Sequence, residues 1–127
     1  MDSAPKNIIL YKKALEILIL SKSVSRYLIY ELAPLEKNGK ENPFIYFTGD
    51  IVKHSDSLAP EILKAENQPF QKDRIKHAVS LKNLTNKIYR NCEQLERSES
   101  NGKDFVRLLR AEIKKFRKLQ RNWMMTL

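Results

Sequence analysis

Three helix-breaking sites divide the chain into four long segments, and this division constrains the fold more than any other feature. The first site is residues 34–43, which hold two prolines and a glycine. The second is the proline at position 69, and the third is residues 98–102. Proline removes a backbone donor and crowds the preceding turn, so helices end near such positions. The sequence therefore predicts helices over about 7–32, 44–67, 70–97 and 103–124. Because 127 residues contain only three glycines, a sandwich or barrel with many tight turns is disfavoured.

Apolar residues recur at helical spacing within these segments. In the third segment they are Ala78, Leu81, Ile88, Cys92 and Leu95, with Thr85 in the gap. In the fourth they are Val106, Leu109, Ile113, Phe116 and Trp123. Amphipathic helices with short connections predict an all-α fold: an antiparallel up-down four-helix bundle forming a single domain over 1–127.

Three local features refine this prediction. Asn7 is a candidate N-cap for the first helix. Pro60 lies inside the second segment, where it either kinks the helix or begins a new first turn. The first segment is apolar over more than one face, which is typical of a helix that is central or buried against a second chain. The first segment is therefore a candidate for contact with a second chain.

The net charge of +9 is concentrated in the fourth segment. Residues 103–121 hold eight lysines and arginines against two acids, a net charge of +6. Five of these cations follow one another at steps of three and four residues, which places them on one side of the helix beside the core stripe. We call them the basic ridge: Arg107, Arg110, Lys114, Arg117 and Arg121. The third segment carries a second, shorter basic row. The predicted nucleic-acid-binding residues are Lys76, Lys87, Arg90, Arg97, Arg107, Arg110, Lys114, Arg117, Lys118 and Arg121.

Two kinds of partner are consistent with this charge pattern. Solvated helix faces usually mix signs through i,i+4 pairs, whereas the fourth segment places like charges at that spacing. Such a basic footprint favours a polyanion, above all the backbone of RNA or DNA. The alternative is a protein-interaction bundle whose basic side docks an acidic protein partner.

Residue patterns that carry catalysis are missing, so we expect no enzyme, no cofactor and no metal. His54 and His77 are the only histidines, and neither has a cysteine or carboxylate at i+3 or i+4. Cys92 belongs to the core stripe and is interpreted as a buried apolar residue rather than a nucleophile. A small toxin or nuclease is the third and weakest hypothesis. The single cysteine and the lack of a signal-peptide pattern predict a cytoplasmic location without membrane contact.

Several stretches resemble a known family of small four-helix bundles. They are residues 10–17 (LYKKALEI), residues 47–51 (FTGDI), the leucine-rich third segment and residues 116–123 (FRKLQRNW). The family includes proteins encoded in intervening sequences of bacterial ribosomal RNA genes and the accessory variability determinant (Avd) of diversity-generating retroelements. Residues 57–66 depart from the Ser-Ile-Pro-x-Asn-Ile-Ala-Glu-Gly stretch usual in the ribosomal branch, so the resemblance favours Avd.

The resemblance implies a homopentameric, barrel-like ring with a basic surface. Such a ring would bind nucleic acid and a reverse transcriptase. It would support template-primed cDNA synthesis during mutagenic retrohoming, without catalytic residues of its own.

Overall fold

The computed structural model describes residues 4–127, which form five α-helices joined by loops, with no strand in that range. The helices are α1 (Ile8–Leu32), α2 (Ile45–Asp56), α3 (Leu58–Glu66), α4 (Gln71–Leu95) and α5 (Lys103–Met124). The predicted all-helical class is confirmed. No helix in the described part of the chain combines the length and the apolar character needed to cross a membrane.

The predicted second helix is two helices, because the chain breaks at Ser57 between α2 and α3. Pro60 lies in the first turn of α3. Backbone N–H groups there have no intrahelical acceptor, so the missing proton of proline costs no helical hydrogen bond. Of the two expectations for Pro60, the new first turn is confirmed.

Packing between the helices produces a four-helix bundle. The α1 helix packs against α2, α3 and α5, and α4 packs against the same three helices. Since α2 and α3 follow each other and share these neighbours, together they take the place of one bundle helix. Each long helix thus buries one face, and burial of these faces is the main source of helix stability in water.

The predicted core stripes of α4 and α5 are confirmed. All the named residues of both stripes are buried, and Thr85 is buried with them. One further buried residue, Gln120, continues the α5 stripe between Phe116 and Trp123. Burial raises the pKa of Cys92 to about 12, so its thiol stays protonated at neutral pH.

A buried carboxylate joins three elements at one end of the bundle. Glu66, the last residue of α3, is 6% exposed. Its carboxylate accepts hydrogen bonds from the backbone N–H groups of Lys6 (3.0 Å) and Asn7 (3.1 Å) and from Trp123 Nε1 (3.0 Å). Asn7 in turn caps α1, because its side chain accepts from the N–H of Leu10. Glu66 therefore fixes the start of α1 and the end of α5.

At the other end, the α4–α5 connection is held on α1. The Glu31 carboxylate accepts from the backbone N–H of Asn101 at 3.0 Å and from Ser100 Oγ at 3.3 Å. The Asn101 hydrogen bond lowers the pKa of Glu31. Gly102 is buried so closely against α1 that a Cβ atom would lie 2.7 Å from Leu28 Cδ2. These contacts set where α5 begins.

The α1 helix buries only one face in the folded chain, although its sequence is apolar on more than one side. Its buried face includes Leu10, Ala14 and Ile17. Apolar side chains also lie in solvent on its other face, where Ile19 is 67% exposed and Tyr30 is 87% exposed. A position in the centre of the bundle, one of the two expectations for this segment, is therefore wrong.

Candidate nucleic-acid interface

The two flanks of α5 have different chemistry. On the flank facing α1, Phe105 stacks edge-on against Tyr27, and Glu112 forms an ion pair with Lys13. Hydrogen bonding to Lys13 lowers the pKa of Glu112. On the flank facing α4, arginines contact α4 side chains, as described below. The helix therefore has one partly apolar flank and one basic flank.

Part of the predicted basic ridge is neutralised within the chain. Arg107 lies 3.0 Å from Asp104 and 3.5 Å from Glu96, measured between charged atoms. Arg110 Nε lies 2.8 Å from a Glu96 oxygen. One carboxylate from the end of α4 thus offsets two arginines of α5, which relieves the repulsion between like charges three residues apart.

Tyr89 of α4 lies between two arginines of the ridge. The guanidinium carbon of Arg117 is 4.1 Å from the centre of the Tyr89 ring, and that of Arg110 is 5.8 Å away. Arg117 also donates from Nη2 to Asn86 Oδ1 at 3.0 Å. Cation–π contact and this hydrogen bond hold Arg117 in one orientation without neutralising its charge.

The second half of α5 carries cations that are not compensated. Lys114, Lys118 and Arg121 are exposed, and Arg117 is half-buried. Within residues 4–127, none of these four lies within ion-pair distance of a carboxylate. Positive charge is therefore concentrated between positions 114 and 121.

A groove runs beside these cations between α4 and α5. It has a volume of about 280 Å³. We call it the α4–α5 groove, and its lining residues are Lys82, Asn86, Arg117, Gln120, Arg121 and Met124. Two of the predicted residues, Arg117 and Arg121, meet here.

Four of the six lining residues of the groove were not predicted, and two of these, Lys82 and Gln120, have a signal in the sequence. Lys82 shares an α4 row with Asn86, Tyr89 and Glu96, at spacings of four, three and seven, and this row faces α5. Gln120 falls three to four residues from Phe116 and Trp123, which places it in the core stripe. Both signals were present in the spacing.

The predicted α4 residues do not line the groove. Lys76, Lys87, Arg90 and Arg97 are all exposed. At 3.6 residues per turn, Lys87 is about 140° around the helix from Lys82 and thus turned away from the groove. Its positive charge acts toward α2 instead, since the pKa of His54 is lowered mainly by burial and further by the charge of Lys87. The structure thus places Lys87 apart from the groove, and Lys76, Arg90 and Arg97 are exposed residues outside its lining.

The histidines are the remaining candidates for metal or catalytic chemistry, and His77 contacts a carboxylate of α3. His77 Nδ1 lies 2.7 Å from a Glu61 oxygen of α3. The part of the chain that the structure describes contains no group of three or more His, Cys, Asp or Glu side chains suited to hold a metal ion.

Comparisons with known proteins do not add to this description. The chain matches no protein-family model, no curated protein and no solved structure. Function is therefore inferred from the arrangement of charge, aromatic contacts and cavities described above.

Proposed function

We propose that this protein is a non-catalytic nucleic-acid-binding bundle whose contact surface is the α4–α5 groove and the second half of α5. The observation that carries the proposal is the segregation of charge along α5. Glu96 and Asp104 offset Arg107 and Arg110, whereas Lys114, Arg117, Lys118 and Arg121 have no such partner in residues 4–127. Uncompensated cations of one sign on one flank are the electrostatic footprint of a polyanion site.

The spacing of these cations suits a phosphate backbone. Lys114 and Arg121 are seven residues apart, which is about 10 Å along a helix. About three phosphates of one strand fit within that length at 3.4 Å of axial rise per nucleotide. Contacts with phosphate groups supply affinity but do not distinguish one base from another, so we expect binding without sequence preference.

The family resemblance supports a more specific role within this proposal. In that role the protein is an accessory subunit of a retroelement reverse transcriptase and assists template-primed cDNA synthesis and mutagenic retrohoming. The chain then has the up-down topology of the family and forms a homopentameric ring in the cytoplasm. The exposed apolar flank of α5, where Phe105 is 48% and Leu108 is 50% exposed, supports a contact between subunits.

Salt dependence of binding tests the nucleic-acid proposal. We expect the logarithm of the association constant for a single-stranded oligonucleotide to fall linearly with the logarithm of salt concentration. The slope should be about −3, because about three phosphates along the second half of α5 and one beside Lys82 in the groove each contribute about −0.7. Fluorescence anisotropy at several salt concentrations measures it. Poly-glutamate of similar length represents an acidic protein, and tighter binding to it than to RNA or DNA would favour the alternative, an acidic protein partner.

The ring is tested by the absolute mass in solution, measured by light scattering after size exclusion at high salt. We expect five times the mass of one chain. Leu108→Glu should reduce the mass to that of one chain, whereas Leu35→Glu, on an exposed loop residue, should leave it unchanged. A monomeric wild-type protein would contradict the ring without affecting the nucleic-acid proposal.

A further inference from the structure

Gln120 is a polar side chain in an apolar stripe, and one end of its amide lacks a partner. The residue is 2% exposed. Its Oε1 lies 3.1 Å from Thr85 Oγ1, and the single proton of that hydroxyl also has the carbonyl oxygens of Leu81 (2.9 Å) and Lys82 (2.8 Å) as acceptors. Its Nε2 is buried and has no hydrogen-bond acceptor among the described residues. Buried donors without acceptors are rare in native proteins because their desolvation is not offset.

A second buried donor lies in the same groove. Arg117 Nε has no hydrogen-bond acceptor in the described part of the chain. The Arg117 guanidinium cannot easily turn to find one, because it is stacked on Tyr89 and donates to Asn86. Gln120 and Arg117 both line the α4–α5 groove, together with the cations Lys82 and Arg121. Two residues that each hold a buried, unpaired N–H group therefore line one cavity, and three of the side chains that line it are cationic.

From this arrangement we propose that the α4–α5 groove is a phosphate-binding subsite. Gln120 Nε2 and Arg117 Nε donate to the oxygens of one phosphate group, and Lys82 and Arg121 offset its charge. A phosphate presents only acceptors to these donors, which matches the chemistry of the groove. The cavity of about 280 Å³ is several times the volume of about 30 Å³ that a water molecule takes in the liquid. The inference rests on the proposed function in one respect, since it takes a backbone phosphodiester as the source of the phosphate.

Substitution of Gln120 tests the subsite. Gln120→Leu keeps a similar volume and removes the donor. We expect this variant to bind a single-stranded oligonucleotide about 5- to 10-fold more weakly, and Gln120→Glu to bind it at least 30-fold more weakly because a carboxylate then faces the phosphate. The melting temperature of Gln120→Leu should equal or exceed that of the wild type, since an unpaired buried amide is removed. The matched control is Gln71→Leu, at the exposed start of α4, which should bind like the wild type.

Two comparisons separate this inference from the proposed function. If the wild type binds the oligonucleotide and Gln120→Leu binds it equally well, the subsite is refuted while nucleic-acid binding stands. That result is expected if the side-chain amide of Gln120 is rotated by about 180°, so that Nε2 donates a hydrogen bond to Thr85 Oγ1. If the wild type binds no oligonucleotide, the proposed function fails. Inorganic phosphate should then still raise the melting temperature of the wild type above that in sodium chloride of equal ionic strength, but not that of Gln120→Leu. Absence of this shift would refute the subsite as well.

Discussion

Reversing four exposed cations of the proposed contact surface, two in the α4–α5 groove and two in the second half of α5, should lower the affinity for single-stranded nucleic acid at least 100-fold at about 0.15 M salt. The variant is Lys82→Glu, Lys114→Glu, Lys118→Glu and Arg121→Glu. Each change removes an attraction and adds a repulsion, and exposed charge pairs contribute up to about 1 kcal/mol. About 3 kcal/mol in total corresponds to a factor above 100. Arg117 is left unchanged because its stacking on Tyr89 contributes to the packing of α5 on α4.

A matched control separates the position of these charges from their number. The control variant carries glutamate at Lys37, Lys40, Lys53 and Lys64, four exposed positions in the α1–α2 loop, α2 and α3. Both variants have a net charge of +1 instead of +9. We expect the control to lose much less affinity and to keep the salt slope of the wild type. The slope of the groove variant should instead be close to zero, because four contacts of about −0.7 each are removed. Equal losses in the two variants would show that net charge alone governs binding.

The second large effect concerns stability, and it arises from Glu66. Replacing Glu66 by alanine removes three hydrogen bonds and leaves Trp123 Nε1 buried without an acceptor. Hydrogen bonds to a charged group contribute about 1.5 to 3 kcal/mol each, and the exposed backbone donors can recover part of this from water. We expect a loss of about 3 kcal/mol in the free energy of unfolding and a fall of about 10 °C in melting temperature.

Urea unfolding followed by circular dichroism measures this change. Glu66→Gln retains one carbonyl acceptor, so its loss should be smaller than that of the alanine variant. Glu93→Ala, at an exposed position of α4, is the control and should stay within about 0.5 kcal/mol of the wild type. A loss below about 1 kcal/mol for Glu66→Ala would mean that the ends of α1 and α5 are held mainly by apolar packing.

Local periodicity predicted the helices and their buried faces well. The stripe from Val106 to Trp123 is buried as expected, since hydrophobic spacing is a property of the helix itself. The break at Ser57 was less certain from sequence, because proline in a helical segment is compatible with either a kink or a new first turn. Gln120 is polar and so does not belong to an apolar stripe, but its spacing from Phe116 and Trp123 places it in the core.

The candidate site was predicted only in part. Spacing predicted the basic flank of α5, and four cations of the second half of this helix have no carboxylate partner in residues 4–127: Lys114, Arg117, Lys118 and Arg121. Their lack of partners could not be read from the chain, because Glu96 offsets Arg107 and Arg110 from another helix. The sequence also did not determine which α4 lysine lines the groove, because Lys82 and Lys87 differ only in the direction in which they project from the same helix.

By itself the sequence determined the helical class, the three main breaks and the faces that α4 and α5 bury, because these depend on residues within a few turns of one another. The tertiary structure alone decided which α5 cations remain uncompensated, which α4 residues line the groove and why Gln120 lacks an acceptor. These properties depend on the rotation of α5 relative to α4, which brings together side chains that lie tens of residues apart in the chain. The rotation is set by packing and by contacts at the bundle ends, including those of Glu66 and Glu31.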